Sequence, residues 1–305
     1  MLRLSINDAI ADYNAGKIMI FGEKITILWE LYFANNQASH TDEDILTLLA
    51  PLLKNINIDI WKDVEKELFR IQYQDIRMPA EFSDEELNLL SDIGDLTQVG
   101  VRGLIATMMA CRHVIKRKLE GDFVECGVWR GGCSILAANM FKLHGVSKKI
   151  YLFDTFEGMT PPTEYDFKEI SGLSALGKFT DNQRDGFNQW NYSAIDEVKE
   201  NFRKADLLSD NIIFIKGDVS ETLGNKENLP EKISLLRLDT DFYESTKSEL
   251  EVLYPLLTIG GNLIIDDYGV WAGPRKATDE YFALHNNSPS FHFIDFGGRI
   301  GTKFD

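Results

Sequence analysis

Three aspartates stand at the ends of two successive apolar runs in this chain. Asp239 follows residues 236–238, and the pair Asp266 and Asp267 follows residues 263–265. Because parallel strands carry their functional groups at the carboxyl edge of a sheet, we expect these three carboxylates to converge. Crowded carboxylates repel one another unless a cation neutralises them, and Mg²⁺ is a hard cation that takes oxygen ligands. The spacing therefore predicts a magnesium site.

A structural interpretation of the first of these acids stays open. Asp239 and Asp241 precede an expected helix that begins near Tyr243, and acids at a helix N-terminus stabilise its dipole. Asp241 is open to that role alone. Two acidic strand ends in succession favour the metal site for Asp239, Asp266 and Asp267.

A glycine-rich turn lies upstream, in the sequence Glu125-Cys-Gly-Val-Trp-Arg-Gly-Gly132. The apolar run over residues 123–128 predicts a buried strand that carries Glu125, and residues 133–143 predict a helix. A strand, a glycine turn and a helix form nucleotide pockets in α/β sheets, because small residues admit the ligand and the helix N-terminus faces it. A tight turn without any ligand is the alternative.

Two further aspartates end predicted strands. Asp154 ends the run Ile-Tyr-Leu-Phe-Asp, where a carboxylate typically accepts hydrogen bonds from the ribose hydroxyls of a nucleoside cofactor. Asp218 follows residues 212–217 and is a candidate for the adenine side of the same cofactor. The alternative for both is a turn aspartate that caps the next helix.

The elements that must position these residues follow a β-α-β rhythm from residue 121 onward. Short, continuously apolar runs suit strands covered on both faces of a parallel sheet. The runs are residues 123–128, 150–153, 212–215, 233–238 and 262–265. Residues 291–296 and 299–304 flank a glycine pair and predict a terminal β-hairpin. The predicted fold is α/β, a Rossmann-like, doubly wound, seven-stranded sheet with an antiparallel terminal hairpin strand.

Residues 157–192 form a long connection with weak periodicity, in which aromatic and acidic side chains alternate. Connections of this length commonly serve as lids or binding loops, and aromatic rings beside acids suit a sugar. A surface insertion that packs on itself is the alternative.

Composition excludes several classes of protein. The formal net charge of −16 argues against binding a nucleic-acid backbone. The N-terminus has no basic head followed by an apolar core, and no apolar run reaches the ~18 residues that span a bilayer, so we expect a cytoplasmic protein without a signal peptide. The three cysteines show no metal-ligand spacing, which favours free thiols in a reducing compartment over zinc.

Five motifs together resemble the macrocin O-methyltransferase (TylF-like) family. They occur in the family's order over about residues 97–303, which makes coincidence improbable. The motifs are Val124-Glu-Cys-Gly-Val-Trp-Arg-Gly-Gly132, Phe153-Asp-Thr-Phe-Glu-Gly-Met159, Gly217-Asp-Val-Ser-Glu-Thr-Leu223, Leu238-Asp-Thr-Asp-Phe-Tyr-Glu-Ser-Thr246 and Ile265-Asp-Asp-Tyr-Gly269.

The resemblance implies an enzyme that uses S-adenosylmethionine and Mg²⁺ to methylate sugar hydroxyls of natural products. It implies that Asp239, Asp266 and Asp267 hold the metal and that Asp239 serves as general base. Catechol-type relatives carry a lysine three residues after the first metal aspartate, where this chain has Phe242, so a lysine base is not expected. The implied cofactor-binding residues are Glu125, Gly127, Trp129, Arg130, Asp154 and Asp218.

The domain prediction is an all-helical segment over residues 1–80 and a methyltransferase domain over residues 81–305. Dimerisation, cover for the active site and docking of a carrier protein stay open for the segment, and we expect a homodimer.

Three rival functions remain: methylation of a polyketide or phenolic hydroxyl, NAD-dependent oxidoreduction, and a non-catalytic nucleotide-binding module. The turn after Gly127 lacks the Gly-x-Gly-x-x-Gly spacing of a dehydrogenase.

Overall fold

The computed structural model describes residues 79–304, and its centre is a seven-stranded sheet. In chain order, the strands are β1 (Asp122–Cys126), β2 (Ile150–Asp154), β3 (Gln183–Arg184), β4 (Phe187–Asn188), β5 (Ile212–Lys216), β6 (Ile233–Leu238), β7 (Leu257–Ile265), β8 (His292–Phe293) and β9 (Arg299–Thr302). The order across the sheet is β5-β2-β1-β6-β7-β9-β8, and β3 with β4 forms a separate hairpin.

The five predicted apolar runs are the five parallel strands of this sheet. Strand β9 pairs with β7 and β8 in the antiparallel direction, as the predicted terminal hairpin requires. Strand order runs outward in both directions from β1, which is the doubly wound arrangement. The predicted fold class is therefore confirmed.

Helices lie between the five parallel strands along the chain, and the central strands are buried on both faces. The α-helices are α1 (Asp84–Ile93), α2 (Val101–Arg117), α3 (Gly132–Leu143), α4 (Ala175–Asp181), α5 (Ile195–Lys204), α6 (Val219–Thr222), α7 (Tyr243–Leu253) and α8 (Ala272–His285). Short 3-10 helices lie at Gly94–Leu96, Lys226–Asn228 and Tyr254–Leu256. Ser83 and Glu86 form a reciprocal capping box that sets the start of α1.

The core lies between the sheet and its helices. Residues of β1, β2, β6 and the second half of β7 are almost completely buried, because continuously apolar strands are covered on both faces. The parallel direction brings the carboxyl ends of β5, β2, β1, β6 and β7 to one edge of the sheet. Each acid singled out in the sequence lies in or just after one of these strands.

The predicted helical segment over residues 1–80 falls almost entirely outside the described residues. Over residues 79–304, no helix combines the length and the apolar character needed to cross a membrane.

Candidate active site

Gly127 shapes the start of the turn that follows β1. Gly127 has a φ of +83°, and a Cβ at this position would clash with the backbone carbonyl of Asp239. Only glycine lets the loop after β6 cross so close to the turn after β1. Trp129 also has a positive φ, of 47°, which costs energy in a non-glycine residue and recurs at functional sites.

Asp154, at the end of β2, holds this turn in place. Its Oδ2 accepts hydrogen bonds from the backbone N–H of Val128 at 2.6 Å and of Trp129 at 3.0 Å. Its Oδ1 accepts from the backbone N–H of Phe156 at 2.7 Å. Burial raises the pKa of Asp154, and these three N–H donors oppose the shift. The carboxylate thus fixes the glycine turn from beneath while it lines the adjoining cavity.

Asp218 and Arg130 take different positions. Asp218 lines the cavity and also caps α6, by accepting from the backbone N–H of Ser220 at 2.9 Å. Arg130 is absent from the cavity lining and pairs with Glu197 at 3.2 Å. The structure therefore brings Asp218 to the other predicted cofactor residues and leaves Arg130 at their margin.

The turns at the carboxyl edge of the sheet enclose a cavity of about 280 Å³. Met159, Thr160 and Asn191 of the 157–192 segment contribute to its wall. The sequence-predicted residues that line it are Glu125, Gly127, Trp129, Asp154, Asp218, Asp239, Asp266 and Asp267.

The structure brings the three aspartates predicted to bind metal together. Each offers one carboxylate oxygen, and these oxygens lie within 4.8 Å of one another. Burial, followed by the charge of neighbouring carboxylates, raises the pKa of Asp239 and of Asp267 well above the usual range. Oδ2 of Asp267 is buried without a hydrogen-bond partner among the described residues. A crowded set of oxygens with an unsatisfied buried member fits a hard divalent cation.

A buried arginine lies directly behind these carboxylates. The side chain of Arg237 is fully buried, and its Nη2 donates to Oδ2 of Asp239 at 2.8 Å and to Oδ1 of Asp266 at 2.9 Å. Its Nε donates to Oε1 of Glu125 at 3.0 Å. Although burial disfavours the charge, Asp266 and the other carboxylates raise the pKa of Arg237 above its ordinary value. Arg237 is therefore a permanent internal cation that orients three acids.

Glu125 connects the cofactor side of the cavity to the aspartates. Its second oxygen, Oε2, accepts from the hydroxyl of Ser134 in α3, so both carboxylate oxygens have protein partners. Burial raises the pKa of Glu125 to about 7, against the lowering effect of Arg237. Glu125 and Arg237 occupy the same register position in the paired strands β1 and β6. A charged residue inside an otherwise apolar strand marks Glu125 and Arg237 individually, whereas their pairing depends on the register of the two strands.

Asp241 lies in the cavity wall rather than in the first turn of α7. It has a φ of 66°, and its carboxylate accepts from Nε1 of Trp271 at 3.0 Å and from Nδ2 of Asn191 at 3.3 Å. Burial is the main cause that raises its pKa to about 6. The helix-dipole interpretation does not account for these contacts, and a held carboxylate of this kind is suited to accept a proton.

Phe242 packs in a buried aromatic group and offers no base. Its ring centroid lies 5.8 Å from that of Trp190 and 5.9 Å from that of Trp271. Trp271 in turn orients Asp241 through its indole N–H. This aromatic group supports the cavity wall from behind.

The 157–192 segment has features of both interpretations offered for it. It packs on itself and on the helices, because buried Asp166 accepts from the backbone N–H of Tyr243 at 2.8 Å and from that of Thr163 at 2.7 Å. Both of its ends also reach the cavity, through Met159 and Asn191. Asp166 fixes the segment to the first residue of α7, close in sequence to Asp241.

A further buried acid lies below the cavity, outside the residues that the sequence predicts. Glu249 on α7 is fully buried, and its Oε1 accepts from the hydroxyl of Thr240 at 2.9 Å. Burial raises its pKa from 4.5 to about 8, which the hydrogen bond from Thr240 opposes. An acid on a helix that carries several other charged residues gives no sequence signal of burial.

The titration of Glu249 predicts a pH dependence of stability. Because its pKa is raised on folding, the folded state keeps a proton that the unfolded state releases, and the free energy of unfolding falls as pH rises from 4.5 to 8 by up to ~1.4 kcal/mol per pH unit. Glu249→Gln removes this titration. We expect the free energy of unfolding of the variant minus that of the parent, measured with urea, to rise between about pH 5 and pH 8 and to level off above pH 8. Parallel pH curves for the two proteins would contradict the prediction.

Comparison with known proteins assigns the chain to a family. Residues 54–300 match the model of the macrocin-O-methyltransferase (TylF) family. A demethyldecarbamoylnovobiocin O-methyltransferase from Streptomyces niveus is 32% identical over 203 residues, which cover 66% of this chain and 73% of the relative. A 4'-O-methyltransferase from Streptomyces olivaceus, which acts on a rhamnosyl tetracenomycin C, is also 32% identical, with the same shares of both chains covered.

Solved structures agree with the assignment. The structure of the O-methyltransferase NovP matches with a TM-score of 0.63 and 28% sequence identity, and covers 73% of this chain and 100% of that one. The calicheamicin methyltransferase CalS11 shares the fold, at 18% identity and a TM-score of 0.53, over 75% of this chain and 95% of that one. The chain belongs to the macrocin-O-methyltransferase (TylF) family and is an O-methyltransferase enzyme.

Proposed function

We propose that this protein transfers a methyl group from S-adenosylmethionine to a hydroxyl of a sugar on a glycosylated natural product. One observation carries the proposal: the glycine turn held by Asp154 and the acids Asp239, Asp266 and Asp267 face the same cavity. The names of the curated relatives, which include a rhamnosyl 4'-O-methyltransferase, support a sugar acceptor.

S-adenosylmethionine would occupy the half of the cavity formed after β1, β2 and β5. Glu125, Gly127 and Trp129 would hold its methionine end, and Asp154 would bind the ribose. Asp218 would lie on the adenine side, and Arg130 would support the turn from its margin. Loop residues held by hydrogen bonds to Asp154 supply a preformed surface, which reduces the ordering cost of binding.

Asp154→Ala is expected to weaken binding of S-adenosylhomocysteine by about a hundredfold, because it removes a ribose acceptor and frees the Val128 and Trp129 amides that hold the turn. Isothermal titration calorimetry measures the change. Asp196→Ala, in the first turn of α5, is the matched control and keeps the parent affinity. Equal affinities for the Asp154 variant and the parent would show that this carboxylate does not serve the cofactor.

Asp239, Asp266 and Asp267 fit a magnesium ion in ligand type and spacing. Magnesium bound there would lower the pKa of a coordinated acceptor hydroxyl and orient it toward the methyl group. Arg237 donates a hydrogen bond to one carboxylate oxygen of Asp239 and to one of Asp266. The second oxygen of each carboxylate remains available for the ion.

The acceptor hydroxyl loses a proton as its oxygen takes the methyl group from the sulfonium, and the products are a methyl ether and S-adenosylhomocysteine. We assign the proton to the carboxylate of Asp239. Asp241 is the second candidate, because its two oxygens are held by Trp271 and Asn191 and its pKa of about 6 suits a base near neutral pH. In-line approach then depends on positioning rather than on a covalent enzyme intermediate.

Incubation with methyl-labelled S-adenosylmethionine and a panel of acceptors tests the proposal. The panel contains glycosylated polyketides, their aglycones and simple phenols, each with Mg²⁺ and with EDTA. Label in the sugar of a glycosylated acceptor, only when Mg²⁺ is present, is the expected result. Label in an aglycone or a phenol would show that the acceptor is not a sugar. Equal methyl transfer with Mg²⁺ and with EDTA would contradict the proposed dependence on Mg²⁺.

A further inference from the structure

The loop between β6 and α7 must hold two acids of the cavity in fixed positions. Asp239 precedes Thr240 and Asp241 follows it, and all three residues line the cavity. Asp241 is held in a left-handed backbone conformation, with a φ of 66°, which a free loop would not keep. The hydroxyl of Thr240 donates a hydrogen bond to Glu249 on α7, which ties the middle of the loop to the core.

Glu249 is placed beneath three parts of the site at once. Oε1 accepts from Thr240 at 2.9 Å, and the Cys126 thiol at the end of β1 is near enough for the pKa of each group to depend on the other. The backbone carbonyl of Cys126 in turn accepts a hydrogen bond from the backbone N–H of Asp239 at 2.8 Å. Asp218 is near enough to act on Glu249 electrostatically. Neither the cofactor contacts nor the metal ligands assigned above use this acid.

We propose that Glu249 is a positioning residue for methyl transfer, which fixes Asp239 and Asp241 by holding the Thr240 hydroxyl from inside the core. The inference depends on the proposed function for its catalytic consequence. Its mechanical part does not, since the Thr240–Glu249 hydrogen bond and the backbone conformation of Asp241 involve protein atoms alone.

The chemistry required of Glu249 is that of a neutral acceptor. Its pKa of about 8 leaves Glu249 protonated at neutral pH, so a neutral carbonyl-type oxygen accepts the hydrogen bond from Thr240. A neutral Glu249 also avoids a second buried negative charge near Asp218. Glutamine presents the same oxygen in nearly the same shape. Leucine fills the space but accepts nothing, and valine at position 240 keeps the shape of threonine without its hydroxyl.

Rates and amide exchange in a set of variants test the inference. At saturating S-adenosylmethionine, we expect Glu249→Leu and Thr240→Val each to lower kcat by about tenfold to a hundredfold, because a displaced catalytic group costs rate steeply. Glu249→Gln keeps kcat within about threefold of the parent, and the double variant Glu249→Leu/Thr240→Val is no slower than either single variant, since both changes break one contact. Glu251→Leu, at an exposed glutamate on the same helix, is the matched control with parent activity.

Hydrogen–deuterium exchange of residues 238–243 supplies a readout that needs no acceptor. Faster exchange there in Glu249→Leu and in Thr240→Val, with parent-like exchange in Glu249→Gln, is the expected result. Folded Glu249→Leu and Thr240→Val variants with parent kcat and parent exchange would overturn the inference. Losses in kcat that add in the double variant would also overturn it, as would a Glu249→Gln variant as slow as Glu249→Leu. If Glu249→Leu does not fold, Thr240→Val decides alone. A parent protein that methylates no acceptor contradicts the proposed function, whereas the exchange result then still decides the role of Glu249.

Discussion

Asp266→Asn is expected to lower kcat/KM for methyl transfer about 10³-fold, which corresponds to about 4 kcal/mol of lost transition-state stabilisation. Asp266 is one of three aspartates whose oxygens lie within 4.8 Å of one another, and asparagine removes the charge that attracts a divalent ion while it keeps the shape. Initial rates with Mg²⁺ and with EDTA measure the effect. The remaining activity should no longer respond to Mg²⁺.

Asp210→Asn is the matched control for this variant. Asp210 is exposed and precedes β5, at the amino edge of the sheet, so its loss should leave both the rate and the response to Mg²⁺ unchanged. An Asp266 variant that keeps parent activity in the presence of chelator would refute the metal role of the three aspartates.

Arg237→Met is expected to reduce the free energy of unfolding by about 3–5 kcal/mol. The change leaves Glu125, Asp239 and Asp266 without the cation that now contacts all three, in a place where Arg237 itself is fully buried. Arg237→Lys keeps the charge but not the fork that reaches three acids, so we expect an intermediate loss. Urea unfolding followed by circular dichroism gives both values.

A surface arginine supplies the comparison for this loss. Arg203 pairs with Glu200 across one turn of α5, and both side chains are largely exposed. Because exposed ion pairs contribute little, Arg203→Met should change stability by no more than about 0.5 kcal/mol. A loss below about 1 kcal/mol for Arg237→Met would mean that the three acids do not depend on the buried cation.

The fold was readable from the sequence because each parallel strand is a continuous apolar run covered on both faces. Strand limits were less exact. Strand β1 ends at Cys126 instead of residue 128, since the positive φ of Gly127 turns the chain. Strand β7 begins at Leu257 rather than residue 262, because a strand start that carries threonine and glycines has no continuous apolar signature.

The site was readable only where function falls on strand ends. Asp154, Asp239, Asp266 and Asp267 follow apolar runs, so the topology alone brings them to one edge. The contact of Arg237 with Glu125 depends on the register between β1 and β6, which the linear sequence does not contain. The contacts of Asp241 were equally hidden, because its backbone turns left-handed before α7 begins.

The 157–192 segment marks the limit of prediction by periodicity. Its contacts come from single polar residues: Asp166 accepts from the backbone N–H of Tyr243, and Asn191 donates to Asp241. Such contacts have no repeating pattern. Its two short strands and the helix α4 are too brief to impose a period of their own.

Calorimetric titration of the full chain with S-adenosylhomocysteine, and separately with NAD, examines the cofactor cavity most directly. Saturable binding of S-adenosylhomocysteine at one site per chain, with no heat from NAD, is the predicted result. Binding of NAD together with no binding of S-adenosylhomocysteine would contradict the account.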